Sequence, residues 1–221
     1  MSKVLVFDVN ETLLDLRHLD PVFERMFGNA RVRSEWFGMV LRNAMTLTIT
    51  GDYSDFVTVG GASLQMVAEA HGVTASDADR SAIRDAMTSM PAHTDVPPAL
   101  NRLHAAGFRM AALTNSPKDA AVSQLTNAGI APLFESIMSV EATGRFKPAA
   151  EVYEMAAERL EVRTTDMTMV AAHDWDVAGA MRAGCRGAYV MRRGMVANPL
   201  YPPPDITGTD LLVVAEQILV N

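Results

Sequence analysis

The chain has a single cysteine, Cys185, among 221 residues, so it cannot form an internal disulfide bond. Basic clusters are also missing, since the longest Lys/Arg run is Arg192-Arg193 and the formal net charge is −7. Non-specific nucleic-acid binding needs clustered cations that neutralise phosphates, so we expect no nucleic-acid partner. The apolar run at the N-terminus stops at Asp8, which is too short for a signal peptide or a membrane helix. These absences predict a cytoplasmic protein without a membrane partner.

What the chain does have is the composition of a globular protein, with 49% hydrophobic and 20% charged residues. In residues 1–14 and 95–221, short apolar runs alternate with helical patterns near 97–106, 117–128, 148–160 and 175–183. Strands that alternate with helices predict an α/β core, in which a parallel, Rossmann-like sheet is flanked by helices. The predicted strands are Lys3–Phe7, Phe108–Leu113, Glu135–Val140, Met167–Ala171 and Gly187–Met191.

Residues 15–94 have a different pattern, with few strand-like runs. Helices are predicted at Val22–Met26, Ser34–Leu47, Phe56–Ala70 and Ala75–Met90. We therefore expect a helical cap domain, 15–94, inserted after the first strand of a core domain formed by 1–14 and 95–221. Asn198–Pro204 is predicted to be an extended loop, and Asp210–Val220 a final helix.

Polar residues follow several of the predicted strands. Asp8 follows the first strand, where a carboxylate either attacks an electrophile or caps a turn. Thr114 and Asn115 follow the second strand and either bind an anion or form a turn. Because the carboxyl ends of parallel strands lie at one edge of a sheet, where ligands bind, these residues are candidates for a common site.

Two further segments add ionisable groups to this edge. Lys147 precedes the helix that carries Tyr153, and it is either a solvated lysine or a cation that keeps Asp8 ionised. His173, Asp174 and Asp176 follow the strand Met167–Ala171 and either cap a helix or contribute to a site.

The order of these motifs resembles the haloacid dehalogenase superfamily, and the resemblance covers nearly the whole chain, including the cap. Within the superfamily the chain is most similar to the type II 2-haloacid dehalogenases. The segments that carry the resemblance are Phe7-Asp8 with Thr12-Leu13, Leu113-Thr114-Asn115, Lys147-Pro148 with Tyr153, and Trp175-Asp176 with Gly179-Ala180.

The resemblance implies a hydrolase that needs no cofactor or metal and acts on a small haloacid. Asp8 would displace the halide from C2 and form an ester, Lys147 would keep Asp8 charged, and Asp176 would activate the water that cleaves the ester. The other implied site residues are Thr12 and His173 on the catalytic side, and Asn10, Thr114, Asn115, Phe37, Tyr153 and Trp175 on the substrate side. A homodimer is also expected, since closed dimers are the commonest oligomers.

Most members of the superfamily are magnesium-dependent phosphatases, which is the first alternative. The resemblance implies that a phosphatase needs an acid at position 10 and a metal-binding acid at position 172, where this chain has Asn10 and Ala172. Asp174 would have to replace the missing ligand. A second alternative is a specialised member that keeps the fold and binds a small acid without dehalogenating it.

Four positions differ from the type II pattern. Phe37 follows Trp36 where these enzymes have an arginine that binds the substrate; Arg31, Arg33 and Arg42 are possible replacements, although each is expected to point elsewhere. Ala171 and His173 replace a serine and an asparagine, so His173 either positions water or caps a helix. Glu11 replaces the glycine before Thr12. We therefore expect intact catalytic groups and an altered recognition side.

Overall fold

Strand β1, Val4–Phe7, lies at the centre of the sheet and carries the nucleophile candidate at its carboxyl end. The computed structural model describes residues 4–220, so the predicted start of this strand at Lys3 lies outside the described residues. β1 pairs in parallel with β2, Arg109–Thr114, on one side and with β4, Met167–Ala171, on the other. All four of its apolar residues are buried, as expected for a strand covered on both faces.

The described strands form one parallel, six-stranded sheet in the order β3-β2-β1-β4-β5-β6. The outer strands are β3, Ser136–Ser139; β5, Arg186–Val190; and β6, Ile206–Gly208. The core helices are α5, Val96–Ala105; α6, Lys118–Asn127; α7, Ala150–Arg159; α8, Asp174–Arg182; and α9, Leu211–Val220. The predicted α/β class is confirmed.

A helical cap follows β1, as predicted. Its helices are α1, Asp20–Phe27; α2, Val32–Thr50; α3, Phe56–Ala70; and α4, Asp77–Thr88. The chain enters and leaves the cap side by side, because Asp15 N donates to Pro91 O at 2.9 Å and His93 N donates to Leu13 O at 2.9 Å. The exact domain boundaries, 15–94 for the cap and 1–14 with 95–221 for the core, stay a prediction.

Most predicted elements are confirmed to within a few residues, but β6 was not predicted. Ile206–Gly208 is three residues long and follows a proline-rich stretch, so its apolar pattern is too short to be recognised. Gly107 and Gly129 follow α5 and α6 with φ of 82° and 72°, the left-handed conformation that often follows a helix end. Within residues 4–220, no helix is long and apolar enough to cross a membrane.

The cap contacts the core next to the candidate site. Thr48, near the end of α2, accepts a hydrogen bond through Oγ1 from Phe146 N at 2.9 Å. Its carbonyl oxygen accepts from Arg145 Nη1 at 3.2 Å. Because Phe146 directly precedes Lys147, these bonds fix the cap against the loop that supplies the buried lysine.

Candidate active site

Asp8 lies directly after β1, where the buried strand fixes its position. Its backbone N–H donates to Val170 O at 3.0 Å, which continues the pairing with β4 by one residue. The residue is buried, with 5% of its surface exposed, and its Oδ1 accepts from Lys147 Nζ at 2.7 Å. The predicted nucleophile is therefore a nearly enclosed carboxylate held by a cation.

Lys147 lies between two carboxylates. Its Nζ also donates to Asp176 Oδ2 at 2.6 Å and to Leu113 O at 3.1 Å. Asn115 holds the lysine's backbone, since Asn115 Oδ1 accepts from Lys147 N at 3.1 Å. Burial by itself would lower the pKa of Lys147, but the charges of Asp176 and Asp8 outweigh it and raise that pKa. Lys147 is thus a cation at neutral pH.

The two carboxylates around Lys147 differ in their tendency to hold a proton. Burial would raise the pKa of Asp8, but attraction to Lys147 and contact with His173 hold it well below its usual range. Burial dominates at Asp176 and raises its pKa, although Lys147 opposes this. The chain therefore contains an ionised nucleophile candidate beside a more basic carboxylate, which is the pairing that separate nucleophile and base roles require.

Tyr153 on α7 orients Asp176. Its hydroxyl donates to Asp176 Oδ1 at 2.6 Å and lies 3.1 Å from Asp176 O. Burial, reinforced by the charge of Asp176, raises the pKa of Tyr153 well above its usual value, so the hydroxyl keeps its proton. The resemblance places Tyr153 on the substrate side, whereas its hydrogen-bond partner here is Asp176.

Thr12 connects the nucleophile to the strand-β4 loop. Its hydroxyl donates to Asp8 Oδ2 at 2.6 Å and accepts from Ala172 N at 2.8 Å. The side chain at position 172 supplies no metal ligand, but its backbone N–H fixes the hydroxyl that contacts the nucleophile.

His173 also contacts the nucleophile, which the sequence left open between a site role and a capping role. Its Nδ1 lies 3.2 Å from Asp8 Oδ2, and its Nε2 lies 3.0 Å from Glu11 Oε2. Trp175 stacks on the ring with centroids 5.1 Å apart. Burial would lower the pKa of His173, but the bonds to Asp8 and Glu11 raise it to about 10, so the imidazole is protonated at neutral pH.

Glu11 is the residue that sequence reasoning left without a role. Its φ is 62°, a left-handed conformation that favours glycine, and its side chain points toward His173. Arg33 Nη1 lies 3.7 Å from Glu11 Oε1, while Arg33 Nε donates to Asp20 Oδ1 at 2.6 Å. Arg33 therefore contacts the site through Glu11, and its expected orientation away from the substrate stays a prediction. A charged residue in place of a turn glycine was the signal that could have identified Glu11.

Together these groups form a row of alternating charges from the cap to the core. The members, in order, are Arg33, Glu11, His173, Asp8, Lys147 and Asp176, with successive polar atoms 3.7, 3.0, 3.2, 2.7 and 2.6 Å apart. Each buried charge has an opposite charge on at least one side, which offsets the cost of removing it from water.

Asn10 and Thr114 have structural partners in the same region. Asn10 Nδ2 donates to Ser116 Oγ at 3.1 Å, while its buried Oδ1 has no hydrogen-bond partner among the described residues. Thr114 Oγ1 accepts from Ser116 N at 3.1 Å, which is the turn role considered for it. The structure thus brings Asn10 to the strand ends and gives the Thr114 hydroxyl oxygen a partner in the loop, and anion binding by Thr114 stays a prediction.

Phe37 of the cap packs near His173, with ring centroids 6.1 Å apart. It also borders an apolar cavity of about 280 Å³ between the cap and α6. The walls include Trp36, Val40, Phe56, Leu64 and Ile83 from the cap, and Ser116 and Ala120 from the core. Position 37 therefore contributes an apolar surface where an arginine was expected in a type II enzyme.

Asp174 does not join the row of charges. Its Oδ1 accepts from Trp175 N at 2.8 Å and its Oδ2 accepts from Asn198 N at 2.9 Å. It lines a separate cleft with Tyr201 and neighbouring prolines. Among residues 4–220, no three His, Cys, Asp or Glu side chains are grouped so that they could hold a metal ion.

Several known proteins are similar to this chain in sequence or in fold. The (S)-2-haloacid dehalogenase 1 of Pseudomonas sp. strain CBS-3 is 27% identical over 199 residues, which cover 89% of this chain and 86% of the relative. The (S)-2-haloacid dehalogenase of Pseudomonas sp. strain YL is 25% identical over 216 residues, which cover 97% and 93%.

The fold is shared with the solved L-2-haloacid dehalogenase of Xanthobacter autotrophicus. The two structures align with a TM-score of 0.92 at 23% identity, over 99% of this chain and 98% of the other. The family model for haloacid dehalogenase-like hydrolases matches residues 2–184. The chain belongs to the haloacid dehalogenase-like hydrolase family.

Proposed function

We propose that this hydrolase is a metal-independent dehalogenase of short (S)-2-haloalkanoic acids. The observation that carries the proposal is the Asp8 carboxylate, which Lys147 keeps ionised at the end of β1 without an acid at position 10. A halide leaves carbon as a stable anion and needs no proton, whereas an alkoxide leaving phosphorus does. The similarity to named (S)-2-haloacid dehalogenases supports the same choice of substrate.

In the first step, an oxygen of Asp8 attacks C2 of the haloacid from the side opposite the halogen. The C–O bond forms as the carbon–halogen bond breaks, the halide leaves with the bonding electrons, and C2 is inverted. Lys147 keeps the carboxylate ionised for this attack, and burial removes the water that would solvate it.

In the second step, water attacks the carboxyl carbon of Asp8. The raised pKa of Asp176 suits it to accept a proton from that water, and Tyr153 and Lys147 fix its orientation. The ester breaks to release a 2-hydroxy acid, and Asp8 is regenerated with one oxygen from water.

Substrate recognition follows a different pattern from an arginine-based site. Asn115 Oδ1 accepts from Lys147 N, so its Nδ2 is the amide group left to donate to the substrate's carboxylate or halide. Phe37, Trp175 and the cavity beside Phe37 supply the apolar surface for the carbon chain. The proposed reaction uses no cofactor. The homodimer expected from the sequence stays a prediction.

The phosphatase alternative depends on Asp174 as a metal ligand. Both oxygens of Asp174 accept backbone hydrogen bonds, from Trp175 and Asn198, and the residue lines a cleft with Tyr201 and neighbouring prolines rather than with Asp8. This engagement favours the dehalogenase.

The test is a substrate panel with the purified protein in EDTA and, separately, in Mg²⁺. We expect halide release from (S)-2-chloropropionate or a haloacetate in EDTA, and no Mg²⁺-dependent turnover of an aryl phosphate. Asp8→Asn should abolish halide release, because a neutral amide is a poor nucleophile. Intact-protein mass spectrometry should detect an adduct on Asp8 in the wild type and none in Asp8→Asn.

Two outcomes would contradict the proposal. Mg²⁺-dependent phosphate release without halide release would favour the phosphatase. Absence of any turnover by folded protein, with binding of the acids intact, would favour the specialised binding member.

A further inference from the structure

The two oxygens of Asp8 have different partners. Oδ1 accepts from Lys147 Nζ at 2.7 Å, whereas Oδ2 lies 2.6 Å from Thr12 Oγ1 and 3.2 Å from His173 Nδ1. Two groups fix Oδ2 from the side of the β4 loop. We therefore take Oδ1 as the attacking oxygen, and Oδ2 becomes the carbonyl oxygen of the ester.

His173 must carry a proton on both ring nitrogens to bond both of its partners. Ionised carboxylates accept hydrogen bonds and donate none, and one lies at each end of the ring: Asp8 at Nδ1 and Glu11 at Nε2. The geometry alone thus indicates an imidazolium, 8% exposed, between two acids.

Lys147 already keeps Asp8 ionised for the first step, so a second cation at Oδ2 adds little to that step and makes the attacking carboxylate less basic. After the ester forms, Asp8 has lost its charge and His173 Nδ1–H faces a carbonyl oxygen instead of a carboxylate. When water then adds, negative charge develops on that same oxygen, where a preformed cationic donor stabilises it most.

We propose that His173 and Thr12 form the oxyanion hole for hydrolysis of the Asp8 ester, and that Glu11 is the positioning residue that keeps His173 charged and aimed at Oδ2. This assignment rests on the proposed dehalogenase mechanism and concerns its second step.

The step balances without another reactant. Water oxygen bonds to the Asp8 carboxyl carbon, the C=O electron pair moves to Oδ2, and one water proton moves to Asp176. The electron pair then returns from Oδ2 and restores the C=O double bond. The bond from the carboxyl carbon to Oδ1 breaks, and the departing alkoxide takes the proton from Asp176. Asp8 loses the remaining water proton to solvent and is again a carboxylate.

Glu11 accepts a strained backbone to make this contact. Its φ of 62° is one that a glycine adopts without strain, so a side chain here needs a compensating interaction. His173 at 3.0 Å and Arg33 at 3.7 Å supply opposite charges on both sides of the carboxylate.

The surroundings of His173 contain few other charges. Asp8 faces it from the end of β1, Glu11 from the following turn, and Lys147 lies behind Asp8. From α2, Arg33 acts through Glu11, and Phe37 presents an aromatic ring. The rest of the ring face is covered by Trp175 of α8.

The experiment measures the amount of Asp8 ester during turnover of (S)-2-chloropropionate, by rapid quenching followed by intact-protein mass spectrometry. The variants are Glu11→Gln, which removes the charge, Glu11→Gly, which also removes the strain, and His173→Ala, which removes the donor, whereas an asparagine would keep one. Glu161→Gly is the matched control, since Glu161 is exposed, has φ of 56° and lies outside the site.

We expect slower ester hydrolysis, by about 10-fold in the Glu11 variants and about 100-fold in His173→Ala, the size of losing a donor to an oxyanion. The Asp8 ester should therefore accumulate, and kcat and KM should fall by the same factor. The ratio kcat/KM reports carbon–halogen cleavage, so it should stay at the wild-type value. A purely structural role would instead lower kcat/KM. Glu161→Gly should match the wild type in both steps.

A histidine NMR titration gives a readout that is independent of turnover. The His173 ring should stay protonated to higher pH in the wild type than in Glu11→Gln. Equal titration, or ester hydrolysis at the wild-type rate in all three variants, would overturn the inference and leave the dehalogenase intact. Failure of the wild type to form any Asp8 adduct would overturn the proposed function and this inference with it.

Discussion

Lys147 shows how strongly one side chain can determine stability at the residue scale. It is 1% exposed and lies between Asp8 and Asp176 at 2.7 and 2.6 Å. Removing one partner from a buried ion cluster leaves the remaining charges uncompensated, which costs more than the cluster contributes as a whole. The lysine is therefore both a catalytic candidate and the group that makes two buried carboxylates tolerable.

We predict that Lys147→Met abolishes turnover and lowers the free energy of unfolding by about 3–5 kcal/mol, as for other broken buried ion pairs. Urea unfolding at neutral pH measures the loss. Lys118→Met is the control, because Lys118 is exposed and its substitution should change stability by less than about 0.5 kcal/mol. Equal stability of Lys147→Met and wild type would show that Lys147 does not neutralise the carboxylates.

The sequence identified Asp8, Thr12, Lys147, Tyr153 and Asp176 as site candidates, because each follows or adjoins a recognisable strand or motif. It did not identify the function of Glu11. A single acid in a turn has no periodic or motif signal, and its importance depends on His173, 162 positions away in the chain. Such a pair becomes visible only when the two loops are placed together.

At the scale of elements, the packing of α8 against the loop after Lys147 sets the position of Asp176. Gly179 on α8 allows this approach. A Cβ at Gly179 would collide with Pro148 Cβ and lie 2.9 Å from Pro148 O and 3.0 Å from Tyr153 Oη. Because position 179 has no side chain, α8 can approach α7 and Pro148 closely. This approach brings Asp176 within hydrogen-bond distance of Lys147 and Tyr153.

We predict that Gly179→Ala destabilises the fold by about 1–3 kcal/mol, the usual cost of overpacking, and lowers kcat at least as strongly, because Asp176 and Tyr153 shift together. Urea unfolding and halide release measure the two effects. Gly38→Ala is the matched control in α2, where no atom lies within 4 Å of the added Cβ. There the same substitution should stabilise by about 0.5–1 kcal/mol. The same sign at both sites would contradict the packing argument.

Whole-molecule stability should depend on pH through the row of charges. The pKa of His173 is raised to about 10 from an ordinary value of 6.5, so its contribution is complete below about pH 6.5 and is lost as pH rises toward 10. The lowered pKa of Asp8 gives a contribution that is present above its ordinary value of 3.8 and is lost as pH falls below it. Asp176, whose pKa is raised, opposes Asp8 in the acid range, so the alkaline range gives the clearer test.

We predict that the free energy of unfolding of the wild type falls between pH 7 and pH 9.5, by at most about 1.4 kcal/mol per pH unit for one proton. His173→Asn should lose most of this slope, because an asparagine has no proton to release. Urea unfolding at several pH values measures both slopes. Parallel curves for the two proteins would show that His173 is not the group responsible.

The sequence by itself determined the α/β class, the inserted helical cap, most element positions and the identity of the nucleophile candidate. These depend on local periodicity and on polar residues placed at strand ends, which are properties of consecutive residues. Only the tertiary structure decided which oxygens of Asp8 face Lys147, Thr12 and His173, that Asp174 binds the loop at Asn198, and that Arg33 reaches the site through Glu11. Those outcomes depend on how the cap and the separate loops pack together. Packing and charge compensation set the distances between residues that are far apart in the chain, and a local sequence pattern contains no information about them.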